Sequence, residues 1–255
     1  MTRLTFVTWL WSGKTMGRDR VDYVADHVNR MASMLARHVT IPHEVVCVTD
    51  MAEGIDSGVR IVPMWTDLAG HGRCYRRLKV FDPAMRDVLG PRIVSIDLDT
   101  VITGNIDHLF ARPEPFVIWG DPSRMPHTPY CGSLFMLEIG YRPDVFFDFD
   151  PGVATGLRRA HGAIGSDQAW MGHVIKDAPR WGKQDGVYSF RLDIQLRIGV
   201  PQGGYICGRR RPTGQLANRD GSLPENARIV FFHGAEDPSQ THLHVHHKWI
   251  SEHWR

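Results

Sequence analysis

The sequence predicts a single α/β domain with a mostly parallel central sheet flanked by helices, and three observations predict it. Short apolar runs bounded by turn residues recur along the chain, the pattern of strands covered on both faces. The first of these runs fall in the order strand, helix, strand, strand, an opening found in nucleotide-binding α/β domains. The 255 residues are 42% apolar, enough for one substantial core.

Each element has its own signal. Residues 4–11 form an apolar, β-rich run that reads as a first buried strand and is too short for a signal peptide. Ser12-Gly13-Lys14-Thr15 resembles part of a phosphate loop, but the glycine required five residues before Gly13 is Thr8. Asp19 can cap a helix whose face carries Val21, Val24, Val28, Met31 and Leu35. Residues 44–49, ending at Asp50, and residues 59–64 read as the next strands. A Gly-rich, charged loop over 70–74 leads to a short helix over 75–81 that ends near Pro83.

Ile93 to Ile96 is a central buried strand, and 105–110 is one helical turn. Residues 116–119 and 134–139 are strands. Ser166 can cap a helix through Asp167, Gln168, Trp170, Met171 and Val174. Residues 201–224, dominated by Gly, Arg and Pro, read as loop. Residues 228–233 form a last strand running into a His233-Gly234 turn. The tail carries His242, His244, His246 and His247 and ends in Trp249 and Trp254. It reads as a surface helix packed by its tryptophans, with a metal-binding histidine cluster as the alternative.

Several classes are excluded. A net charge of +2 is too balanced for nucleic-acid binding. The four cysteines, Cys47, Cys74, Cys131 and Cys207, form no Cys-x-x-Cys pair, which argues against a zinc site or a disulfide framework. No stretch approaches an integral membrane segment, so the default expectation is a cytoplasmic protein.

The chemistry concentrates after Ile96, at Asp97-Leu98-Asp99. Residues two apart in an extended strand share a face, so both carboxylates are expected to project together from its carboxyl end. Ligands bind there in open α/β sheets. Two adjacent anions repel, and a divalent cation would offset them. Mg²⁺ and Mn²⁺ prefer oxygen ligands, often take only one or two protein carboxylates, and leave room for substrate phosphates. A solvated turn is the alternative. Two enzyme families place Asp-x-Asp after an apolar strand. They are the nucleotide-sugar-dependent glycosyltransferases of the GT-A fold and the haloacid-dehalogenase-like phosphatases, whose nucleophile motif also fits Asp97-Leu98-Asp99-Thr100-Val101.

Four segments in order decide between them. Tyr75-Arg76-Arg77-Leu78-Lys79, Ile96 to Phe110 with its Asn105-Ile106-Asp107, Gly165-Ser166-Asp167-Gln168-Ala169-Trp170, and Phe231-Phe232-His233-Gly234 together resemble GT-A glycosyltransferases of the glycogenin-like family eight. The resemblance implies one Rossmann-like GT-A domain over 1–255, with residues 1–110 as the nucleotide-sugar half and 111–255 as the acceptor side and tail. It implies Mn²⁺ or Mg²⁺ held by Asp97, Asp99 and His233. Thr8, Trp9, Asp50, Arg77, Leu98, Ser133 and Gly234 would join Asp97 around the donor. Asp167 and Gln168 would sit beside the transferred sugar, where a carboxylate can stabilise oxocarbenium character. It further implies transfer from a nucleotide-diphosphate sugar, a UDP-sugar by family habit, to a glycan or other acceptor with retention.

Two departures accompany the match. Ala235-Glu236-Asp237-Pro238 lacks the lysine that follows the family's His-Gly, and Cys131 stands where the family tends to have Asn. Arg209-Arg210-Arg211 is therefore expected either to clamp the diphosphate or to act as a basic loop against an anionic acceptor or membrane. The competing functions are a phosphatase with Asp97 as nucleophile and Asp99 as general acid, and a catalytically weak sugar-nucleotide binding protein.

Overall fold

The computed structural model describes residues 3–12, 22–71, 73–122, 129–160, 167–195, 205–206, 209–210, 221–233 and 236–255. β1 (Leu4–Leu10) is buried along its whole length. Its alternation feeds two cores, Phe6 and Leu10 on one face and Val7 and Trp9 on the other. A strand covered on both sides needs no polar face, which is why the run is mostly apolar, with only Thr5 and Thr8 polar. α1 (Ala25–His38) turns Val28, Met31, Met34 and Leu35 inward. Val24, expected on that face, is instead the N-cap and is 48% exposed. There His27 Nδ1 accepts from the Val24 N–H at 3.3 Å, so the helix starts after Val24. Asp19 and Val21 lie outside the described residues.

β2 (His43–Thr49) and β3 (Arg60–Pro63) follow, then consecutive 3₁₀ turns over Arg73–Phe81. Next come α2 (Met85–Leu89), β4 (Arg92–Ile96), β5 (Thr100–Ile102), α3 (Asp107–Phe110), β6 (Phe116–Gly120) and β7 (Tyr130–Glu138). After them lie α4 (Asp144–Phe147), α5 (Pro151–Ala160), α6 (Asp167–Val174), β8 (Arg180–Trp181), β9 (Val187–Ser189) and a π-helical turn over Phe190–Ile194. The described remainder holds β10 (Tyr205–Ile206), β11 (Arg209–Arg210), β12 (Ile229–Phe231), α7 (Thr241–His244) and α8 (Trp249–His253).

The central sheet has seven strands in the order β3-β2-β1-β4-β7-β6-β8. β3, β2, β1 and β4 are parallel, β7 runs antiparallel to β4 and β6, and β8 is parallel to β6. The mostly parallel sheet expected from the apolar runs is therefore present, with β7 reversed. A second sheet has the order β5-β12-β9. β10 and β11 form a two-residue antiparallel ladder inside the stretch read as loop. Tyr205 and Ile206 are strand formers whose signal is diluted by the surrounding glycines and prolines.

The link between the sheets corrects the strand expectation. The chain leaves the central sheet at Ile96 and enters the second at Thr100, bending at Leu98 and Asp99. The Thr100 hydroxyl donates to the Asp97 carbonyl at 2.6 Å, and Leu98, 1% exposed, plugs into the core. Asp97 and Asp99 therefore sit on a bend and do not share one face of an extended strand.

Asn105-Ile106-Asp107 has a structural role. The Asp107 carboxylate accepts from the Thr40 N–H at 2.9 Å, the Thr40 hydroxyl and the Asn105 amide, tying α3 to the α1–β2 loop. Burial works against ionisation, but these bonds hold the Asp107 carboxyl below its usual range. Asp107→Ala is expected to lower stability by about 1 kcal/mol at neutral pH, read as a lower urea midpoint. A folded pKa below the unfolded one means that the stabilisation is complete above the ordinary Asp pKa. It disappears as pH falls through the lowered value.

The tail forms two short helices. Trp249, Trp254 and His247 are buried, and His247 Nδ1 bonds the Gly221 carbonyl at 3.0 Å, while His242 and His246 are exposed. The histidines are thus dispersed rather than clustered. Arg30 lies over the Trp254 ring at 4.3 Å and donates to its carbonyl, fastening the C-terminus to α1. Cys47, Cys74 and Cys131 form no disulfide. Among the described residues, no helix is long and apolar enough to cross a membrane.

Candidate active site

The carboxyl end of β4 delivers Asp97 beside β7, where the Asp97 N–H donates to the Ser133 carbonyl at 3.0 Å. The 3₁₀ segment lays Tyr75, Leu78, Val80 and Phe81 into the core and turns Arg77 toward the same place. Arg77 is only 7% exposed. One guanidinium nitrogen lies 2.5 Å from Asp97 Oδ1 and 3.3 Å from the Gly132 carbonyl, and the other lies 2.6 Å from Asp167 Oδ2. Asp167 opens α6, where the helix dipole favours an acid. The next residue, Gln168, accepts from the Gly132 N–H at 3.0 Å. Arg77, Asp97, Ser133, Asp167 and Gln168, expected together from sequence, do meet, around the backbone of Gly132.

The electrostatics follow from burial. Desolvation opposes the charge on Arg77, but Asp167 and Asp97 outweigh it and hold the guanidinium above its already high ordinary value. Burial pushes the Asp167 carboxyl up, and Arg77 works against that rise. Asp99 is pushed well above the usual range by burial and by the neighbouring Asp97 carboxylate. Its Oδ1 is buried with no hydrogen-bond partner. Cys131 Sγ lies 3.6 Å from Ser133 Oγ. Burial raises its thiol to about 12, so it stays protonated and inert as a nucleophile.

His233 reaches this region through strand pairing. β12 registers Phe231 opposite Thr100, and the Phe232 N–H donates to the Asp99 carbonyl at 2.8 Å. The next residue, His233, stacks its ring on Trp119 with centroids 5.2 Å apart. The backbone of His233 is thus beside the Asp97–Asp99 bend. Among the described residues, however, no three His, Cys, Asp or Glu side chains are grouped so as to hold an ion.

The remaining expected residues lie around this centre. Thr8 is fully buried in β1, with its hydroxyl lacking a hydrogen-bond partner. Trp9 is 4% exposed and donates from Nε1 to the Ser95 hydroxyl at 2.9 Å, so its indole is core. Asp50, after β2, accepts from the Ser12 N–H at 2.6 Å and hydroxyl at 2.7 Å, clasping the chain beyond β1. The Leu98 side chain is buried in the core. Gly234, Ser166 and Arg211 lie outside the described residues, as do the side chains of Arg209 and Arg210.

Sequence reasoning missed Gly132, His27 and Asp237. A glycine in a strand can signal close approach, and here the signal was available. A Cβ on Gly132 would lie 3.1 Å from an Arg77 nitrogen and 3.5 Å from both Asp167 Oδ2 and the Gln168 Cβ. Arg77 cannot yield without stretching both ion pairs. Gly132→Ala is therefore expected to destabilise by about 1–3 kcal/mol, as overpacking does. A urea midpoint indistinguishable from the parent would show that Arg77 is not pinned.

No family model and no curated protein sequence matches the chain. Solved structures do. The galactosyltransferase LgtC, in complex with donor and acceptor sugar analogues, is 11% identical, with a TM-score of 0.58 over 98% of this chain and 96% of that one. The glycosyltransferase GlyE of Streptococcus pneumoniae is 11% identical, with a TM-score of 0.54 over all of this chain and 62% of that one. The bifunctional glycosyltransferase WbbM is 10% identical, with a TM-score of 0.56 over 99% of this chain and 50% of that one. At these identities the likeness establishes the fold, which is the GT-A type the resemblance implies. The glycogenin-like branch remains an expectation.

Proposed function

We propose that the chain is a metal-dependent glycosyltransferase that moves a sugar from a nucleotide-diphosphate sugar to a glycan or other acceptor. On the sequence resemblance, the donor is a UDP-sugar and the transfer retains configuration. The observation that carries this reading is the arrangement at the β4–β5 bend. Arg77 ties Asp97 to Asp167, and next to them Asp99 keeps a buried oxygen without a hydrogen-bond partner. A buried anionic acceptor left unsatisfied is costly, and a hard divalent cation relieves it. Asp97 and Asp99 would supply carboxylate oxygens to Mn²⁺ or Mg²⁺, and on the resemblance His233 would be the third ligand.

A bound ion would supply Lewis-acid stabilisation of the departing diphosphate, worth several kcal/mol. The chain's own groups do the rest. Arg77 fixes the spacing of Asp97 and Asp167. Gln168, oriented by the Gly132 N–H, lies beside Asp167, and on the resemblance the two would sit beside the transferred sugar. Asp50 holds Ser12, the residue two past the end of β1.

The phosphatase alternative is disfavoured by the place of Asp97 in the chain. That motif normally opens its domain, whereas here three strands precede it. Calorimetric titration with UDP tests the proposal. Binding is expected with Mn²⁺ and not with a chelator. UDP affinity equal in both conditions would contradict metal dependence, and p-nitrophenyl phosphate hydrolysis lost in Asp97→Asn would favour the phosphatase.

A further inference from the structure

Trp65, in the loop after β3, is half-buried and donates from Nε1 to the carbonyl of Arg76 at 2.7 Å. Arg76 is the residue before Arg77. Asp67, in the same loop, accepts from the Lys79 ammonium at 2.6 Å, so the loop is tied to the 3₁₀ segment on both sides of Arg77. It keeps this path at a cost, because Leu68 holds a φ of 57°, in the left-handed region unfavourable to a residue with a Cβ. The Trp65 ring meets Trp9 edge to face, with centroids 5.6 Å apart. Trp9 is itself fixed by its bond to Ser95, which stands in β4 just before Ile96 and Asp97. A continuous set of contacts therefore runs from the strand that delivers Asp97, through Trp9 and Trp65, to the turn that delivers Arg77.

Arg77 must meet two carboxylates at once, at 2.5 and 2.6 Å, with the backbone of Gly132 against it. A planar fork held by two acids tolerates little movement of its own backbone. Of the two ties that flank it, the Lys79–Asp67 pair is partly solvated, and such a pair holds weakly. The indole of Trp65 is a rigid donor on a fixed aromatic neighbour, so it is the firmer tie. We propose that Trp65 is a positioning residue: braced on Trp9, it holds the Arg76 carbonyl and so aims Arg77 at Asp97 and Asp167 together. In its consequence for turnover this rests on the proposed function.

The test is a double-mutant cycle by urea unfolding of the full chain at neutral pH, with UDP release from UDP-sugars measured on the same proteins. Trp65→Phe keeps a ring against Trp9 and loses the donor. In the parent background it is expected to lower the folding equilibrium constant about thirtyfold, the worth of one neutral hydrogen bond and part of a charge-assisted one. In the Asp167→Asn background Arg77 has less to lose, and the same change is expected to cost only about fivefold, the neutral bond alone. Equal costs in both backgrounds are the mark of independent sites; Trp65 would then only pack, and the proposal would be overturned. UDP release is expected to slow about tenfold or more in Trp65→Phe, and a coupled variant that turns over like an active parent would also overturn it. Coupling in a parent that releases no UDP from any donor supports the positioning of Arg77 and fails the functional reading instead. If Trp65→Phe alone does not fold, recovery of folding in the Asp167→Asn background supports the proposal and no recovery overturns it. If Asp167→Asn alone does not fold, Asp97→Asn, the other acid on Arg77, takes its place in the cycle.

Discussion

Arg77→Met should lower the stability of the fold by about 3–5 kcal/mol, the usual cost of removing one partner of a buried ion pair. Against a typical total of about 5–15 kcal/mol this threatens folding itself. The reason is geometric. Asp97 Oδ1 and Asp167 Oδ2 lie 2.5 and 2.6 Å from the guanidinium, and Asp167 is 1% exposed, so water cannot replace the lost charge. Methionine fills the space and leaves two carboxylates facing each other. Arg77→Lys should fall between, because an ammonium is a compact charge that does not span two acids as a planar fork does. Arg77→Met combined with Asp167→Asn should cost less than the sum of the two, since the second change removes the stranded charge.

The pH dependence has a definite sign. Without Arg77, burial and the Asp97 carboxylate act unopposed on Asp167 and raise its folded pKa above the unfolded value. The folded variant then binds more protons, so its stability should rise as pH falls from neutral toward the ordinary carboxylate range. Urea unfolding at two pH values reads both effects. A single-variant cost under about 1 kcal/mol would mean that the triad is solvated and the account of its burial is wrong.

Asp99→Asn should show the opposite pairing of effects. Removing a buried negative charge next to Asp97 relieves repulsion, so thermal stability should hold or rise. Turnover should nonetheless fall about a hundredfold or more, because a cation contribution of several kcal/mol is lost and about 1.4 kcal/mol is a factor of ten. Loss of stability in step with loss of activity would assign Asp99 a structural role instead.

Much of the fold was legible because it is written in local pattern. The apolar runs of β1, β2 and β4 reported burial on both faces, and the order of elements reported the parallel opening. What stayed hidden is tertiary. The bend at Asp97–Asp99 depends on Leu98 finding a core pocket and on the Thr100 hydroxyl closing onto the Asp97 carbonyl. No period in the sequence announces either. The reversal of β7 is likewise a property of connections, since an apolar strand reads the same in both directions.

The site divides in the same way. Arg77, Asp97, Ser133, Asp167 and Gln168 were singled out by the family resemblance, and they do converge. Gly132 carried the available signal of a glycine inside a strand, and its role is to have no side chain where Arg77 passes. His27 and Asp237 lie far apart in sequence and pair only through folding. His233 was placed near the bend by motif, and the β5–β12 pairing puts its backbone there, while its ring rests on Trp119.

The central claim is that this site breaks a sugar–diphosphate bond with a cation held at Asp97 and Asp99. The most direct measurement is release of UDP from a panel of UDP-sugars by the intact chain, with Mn²⁺ and with a chelator, alongside Asp99→Asn. The account predicts UDP release from at least one donor, dependent on Mn²⁺ and lost in Asp99→Asn. Release that persists unchanged in the chelator and in Asp99→Asn would contradict it. So would no release from any donor by a chain that binds UDP tightly, which would leave a sugar-nucleotide binding protein.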